Sequence, residues 1–96
     1  MAEEIDHTYY QRADTFIDLA NEHAAKVARD EVSASFMYSS ARFNAWISAT
    51  HCTSSASMRD AKQERITYYV DQYRTMLEEN MESYITNFDE YMKPNA

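Results

Sequence analysis

Residues 66–92 read ITYYVDQYRTMLEENMESYITNFDEYM, and this stretch decides the fold. Ile66, Val70, Tyr73, Leu77, Met81, Tyr84, Phe88 and Tyr91 recur every three or four residues with no glycine or proline among them. That spacing belongs to one face of a long helix packed along its whole length. Asn80 falls on the same seam, three residues after Leu77 and four before Tyr84, where an asparagine either fixes register between helices or turns the chain.

Upstream, residues 50–55 (THCTSS) are small and polar and compete with a helix for backbone hydrogen bonds, which marks a loop. Ser54, Ser55 or Ser57 is placed to cap the helix that follows, which is expected over about residues 56–92 and stops before Pro94. A second helix is expected over about 33–50, capped by Ser33, with Asp30, Glu31 and Val32 as the connection before it. Phe36, Phe43 and Ile47 make one apolar stripe on it, and Ala34, Met37, Ala41 and Ala45 a smaller-sided one, the pattern of a helix set between two neighbours. Arg42, Ser35 and Trp46 point in a third direction. The first helix is expected over about 8–29 from an Asp6 or Thr8 cap, with Tyr9, Ala13, Phe16, Ala20, Ala24 and Val27 on one face and Asp14, Asp18, Glu22, Lys26 and Arg29 on the other.

The expected fold is therefore all-α: a single domain over residues 1–96, an antiparallel three-helix bundle with a long C-terminal helix. At about 1.5 Å per residue the three helices measure roughly 33, 27 and 54 Å, so the last overshoots the others by about 20 Å. The overshoot carries Met81, Tyr84, Ile85, Phe88, Tyr91 and Met92. Leaving these six in water forgoes on the order of 10 kcal/mol, as much as the whole stability of a small domain. Two solutions are open. Two copies pair their long helices as a homodimer, with those six residues as the interface. Alternatively, the helix breaks near residues 78–80 and folds back on its own chain.

Composition agrees with helix. The 96 residues contain no glycine and one proline, and aromatics make up 14% of them. The net charge is −7. Residues 1–32 hold eight acids and three bases, residues 33–74 three acids and five bases, and residues 75–96 five acids and one base. Nucleic-acid binding rests on neutralising phosphates with Lys and Arg, and the one basic patch, Arg59, Lys62 and Arg65, is diluted by Asp60 and Glu64, so no nucleic-acid partner is expected. Neither a leader peptide nor a run of about 18 apolar residues is present, and a single cysteine suits a reducing compartment. A cytoplasmic protein with no membrane association is the expectation.

Chemistry-bearing patterns are sparse. Helical bundles hold metals through paired Glu-x-x-His motifs, and this chain has one such spacing, Glu4 to His7; His23 has Ala20 where its partner would stand. No metal, cofactor or catalytic residue is expected. His51 and Cys52 are adjacent at the C-terminal end of a helix, which disfavours a thiolate, and no third group orients them. Without glycine there is no phosphate-cradling loop. Arg42 and Asn44, polar residues in the most apolar helix, form with His23 a candidate ligand or ion-pair site. Arg42 is placed to meet an acid from the first helix or from a second copy.

Residues 10–21 (YQRADTFIDLAN), 32–38 (VSASFMY), 41–46 (ARFNAW) and 73–80 (YRTMLEEN) resemble a family of short bacterial proteins catalogued as a domain of unknown function. The resemblance extends from Tyr9 to Met92. It implies a bacterial protein and transfers no functional residue. The leading expectation is a non-enzymatic helical protein that self-associates and binds a protein partner. A small-molecule or metal-binding bundle built on Arg42, His23 and the tyrosines is the alternative, and an acidic mimic of DNA that occupies a basic protein is a third reading.

Overall fold

A computed structural model describes residues 6–93, and α-helix is the regular structure among them. The elements are α1 (Tyr9–Ala24), α2 (Arg29–Thr50), α3 (Ser55–Thr86) and the single turn α4 (Phe88–Tyr91). The all-α class agrees with the sequence reading, but several boundaries move. By residue contact the chain divides into two units, Met1–Ala45 and Trp46–Ala96, with the division inside the continuous helix α2.

In the first unit Asp6 organises the start of α1. Its Oδ1 accepts from the Thr8 N–H at 2.8 Å and from the Thr8 hydroxyl at 2.6 Å, and Arg12 reaches back to the Thr8 hydroxyl at 2.7 Å and to Asp6 Oδ2 at 3.5 Å. Thr8 is the residue at the cap position, yet its own side chain makes no capping bond, so Asp6 is the functional cap. The helix ends at Ala24, where the Ala25, Lys26 and Val27 N–H groups turn onto the carbonyls of Glu22 and His23. It thus ends five residues earlier than expected, and Val27 lies in the connection rather than on the apolar face.

The second helix begins at Arg29, four residues early. Asp30 and Glu31, read from the sequence as a connection, occupy its first turn, where carboxylates oppose the positive end of the helix dipole. Ser33 is accordingly an interior residue and not a cap. Within residues 1–45, α1 and α2 do not meet along their lengths, so the pairing of the first two helices expected of an up-down-up bundle is absent there. Neither helix has a buried apolar residue.

In the second unit Ser54, in extended conformation, caps α3. Its hydroxyl accepts from the Ser57 N–H at 3.1 Å while the Ser57 hydroxyl accepts from the Ser54 N–H at 3.2 Å, a reciprocal box that satisfies two orphan donors. From there α3 runs unbroken through Asn80, whose Nδ2 donates to the Met76 carbonyl at 2.8 Å. The break considered near residues 78–80 does not occur. Nor does the helix reach residue 92. It stops at Thr86, and Asn87, with φ −112° and ψ 25°, ends α3 and starts α4. Asp89 and Glu90 lie in the first turn of α4, the same acidic signature that opens α2. The short turn leans on the end of α3: the rings of Tyr84 and Tyr91 meet edge-on, centroids 4.9 Å apart, and the Tyr91 hydroxyl lies 3.3 Å from that of Ser83.

The third helix remains the longest, while the first two exchange places. With 32, 22 and 16 residues, α3, α2 and α1 span about 48, 33 and 24 Å. Among the described residues no apolar side chain is buried; the one buried side chain is that of Ser48, 5% exposed. Among the described residues the long apolar side chains expected in the core are therefore partly exposed.

Candidate self-association face

The side chains that made the sequence pattern lie along α3 and α4, and all of them are between 43% and 58% exposed, Tyr84 and Tyr91 included. Met81 is 57% exposed, Ile85 63% and Phe88 58%, with Met92 close to these values. The fold of α4 onto α3 thus brings Tyr91 against Tyr84 without covering the overhang.

The exposed face also begins earlier than the overhang. Val70, Tyr73, Leu77 and Met81 floor an open furrow on α3, rimmed on one side by Arg74, Glu78 and Glu82. The interface expected from the sequence begins at Met81, whereas the apolar seam read there already runs from Ile66 through Val70, Tyr73 and Leu77. The signal that finds it is an 11-residue repeat: Ile66, Leu77 and Phe88; Val70, Met81 and Met92; Tyr73 and Tyr84. Eleven residues make three turns of 3.67 residues, close to the pitch of an unstrained helix, so up to Thr86 the stripe drifts only slowly round α3. The rim charges repeat every four residues, Arg74, Glu78 and Glu82, and form a single edge.

The other candidate residues are not brought together. His23 is exposed in the last turn of α1, Arg42 is exposed on α2 and Asn44 is half-buried beside it. Because α1 and the part of α2 within residues 1–45 do not meet, His23 is not brought to the other two, and Arg42 forms no ion pair with an α1 carboxylate. His51 is exposed and Cys52 is a half-buried free thiol. Glu4 lies outside the described residues, so its spacing to His7 has no structural counterpart. Among the described residues no three of His, Cys, Asp and Glu are grouped as a metal would need. The Asp6 carboxyl is held below its ordinary range, first by the Thr8 hydroxyl, then by the Thr8 N–H, and last by Arg12.

With that geometry in hand, comparison with known proteins is informative about kinship. A family model described as "Protein of unknown function (DUF3144)" matches residues 9–85. The chain belongs to this family. It is also similar to a solved structure, described as the NMR structure of the protein NB7890A from Shewanella sp, with 41% sequence identity and a TM-score of 0.77 over 98% of this chain and 100% of that one. No curated protein matches. The relationship agrees with the resemblance read from the sequence and adds a shared helical fold, with no activity attached. No helix among the described residues is long and apolar enough to cross a membrane.

Proposed function

We propose that this chain is a non-enzymatic, self-associating helical protein of the bacterial cytoplasm, that its working form is a homodimer, and that the dimer offers an acidic surface to a protein partner. The observation that carries the reading is the absence of any buried apolar side chain among the described residues. Ordering each residue's backbone costs about 1–2 kcal/mol, and helices of 16 and 22 residues are marginal in water when nothing packs on them. Apolar burial is the main term that offsets this cost. A chain that leaves Phe16, Leu19, Phe36, Phe43, Trp46 and the α3 stripe half exposed on its own gains that term by burying them against another copy. Closed two-fold pairing is the commonest way to do so, and the three-helix packing expected from the sequence is then completed between chains.

The acidic character gives the second half of the proposal. Residues 75–96 hold five acids and one base, a field that attracts a basic protein surface and repels nucleic acid. Sedimentation equilibrium at micromolar concentration tests the association. A species of about twice the 11.2 kDa chain mass is expected, and an 11.2 kDa species that remains fully helical overturns the reading.

A further inference from the structure

Resting on that reading of self-association, we infer that α3 pairs antiparallel with α3 of a second copy, across a two-fold axis at Leu77. Three features of one helix lead there. The first is the apolar stripe. Within α3, Val70, Tyr73, Leu77, Met81 and Tyr84 are spaced symmetrically about Leu77, so reversal about Leu77 sets Val70 opposite Tyr84 and Tyr73 opposite Met81. A large side chain then faces a large side chain at each level, and the furrow of one copy receives the stripe of the other.

The second feature is charge, and it fixes direction. Residues 55–74 of α3 carry four bases and three acids, whereas residues 75–86 carry three acids and no base. Parallel pairing would set Glu78, Glu79 and Glu82 beside the same three acids of the other copy. Antiparallel pairing about Leu77 instead sets Glu78, Glu79 and Glu82 level with Met76, Thr75 and Gln72 of the other copy, none of them charged. On the charged rim of the furrow, Arg74 of each copy then lies between Glu78 and Glu82 of the other, so the edge that would repel itself in one orientation closes in the other. The third feature is the helix dipole, whose ends oppose one another when the helices run antiparallel.

Thiol pairing tests the direction. On a Cys52→Ser background, one chain carries Val70→Cys and a second carries Tyr84→Cys. The two are mixed, allowed to exchange and oxidised, and the products are resolved by mass. The mixed 70–84 disulfide is the expected product. Disulfides joining 70 to 70 and 84 to 84 would overturn the antiparallel arrangement. So would the absence of any disulfide while the Cys52→Ser parent sediments as a dimer, since the dimer would then use another face. Both results leave self-association itself intact, whereas an 11.2 kDa parent removes it together with this inference. A second pair on the rim, Asp71→Cys with Glu82→Cys joined by a short thiol-reactive crosslinker, leaves the apolar stripe whole and must give the same mixed product.

Discussion

Replacing Leu77 by alanine isolates the contribution of the α3 face. Leu77 is 45% exposed in the single chain, and complete burial of a leucine is worth about 1.5–3 kcal/mol. Covering the exposed part is therefore worth about 0.7–1.4 kcal/mol per copy, and the two-fold axis counts it twice, giving roughly 1.4–2.7 kcal/mol per dimer. Alanine gives up most of this. At about 1.4 kcal/mol per factor of ten, Leu77→Ala weakens dimerisation by roughly 10- to 100-fold. The same reasoning fixes what will not happen. In a chain with its own core, Leu→Ala costs about 2–5 kcal/mol of folding stability at any protein concentration. Here the loss appears as concentration dependence: Tm rises with concentration for both proteins, the variant's curve is displaced to higher concentration, and the two converge when both are saturated. Sedimentation equilibrium supplies Kd, and melts over about a hundredfold range of concentration supply the Tm series. Gln72→Ala, a polar position beside the stripe, is the control. A variant Kd within about twofold of the parent's, or a Tm that does not move with concentration in either protein, refutes the reasoning.

Other outcomes follow from the boundaries. Ser54→Ala removes half of the reciprocal box at the start of α3 and is expected to cost about 0.5–2 kcal/mol, read as faster amide exchange over residues 55–58. Asn87→Ala puts a stronger helix former at the joint between α3 and α4, favouring a continuous helix by up to about 0.7 kcal/mol; helicity by circular dichroism should rise and the Tyr84–Tyr91 ring contact should disappear from NMR spectra. The Asp6 carboxyl is lowered from its ordinary 3.8, so the folded chain favours its ionised form; the help it gives the start of α1 is complete above about pH 3.8 and is lost as pH falls through the lowered value. Amide signals of Thr8 and Tyr9 should hold their positions down to that pH and shift below it, and Asp6→Asn should abolish the dependence.

Part of this was legible in the sequence because the cues were strong and local. The cluster at residues 50–55 announced the loop, and Ser54 was among the caps considered. The face of α3 followed from its spacing. The start of α2 and the joint at Asn87 were not found, and both carry the same cue: an acidic pair just inside a new helix, Asp30–Glu31 and Asp89–Glu90. Asn80 and Asn87 show why residue type alone misleads. Each side chain donates to the carbonyl four residues back, at 2.8 and 2.9 Å, yet only Asn87 is followed by acids that start a fresh helix. The end of α1 had no such warning, since Ala24, Ala25 and Lys26 are good helix formers. The candidate grouping of His23, Arg42 and Asn44 presumed that α1 lies on α2. Periodicity reports which face is apolar, and says nothing about whether its cover comes from the same chain or another.

That no apolar side chain is buried among the described residues also sets an order of events in time. Nearly every backbone bond here closes across three or four residues, and no described residue occupies a left-handed conformation, so each helix can form from local contacts alone. Such local closure takes about a microsecond or less, whereas meeting another molecule is limited by diffusion and slows as the solution is diluted. For a two-copy assembly, encounter of the chains becomes the slow step that makes the structure durable. How much protein the cell makes then governs how fast it matures, and newly made chains remain vulnerable to proteases until they meet.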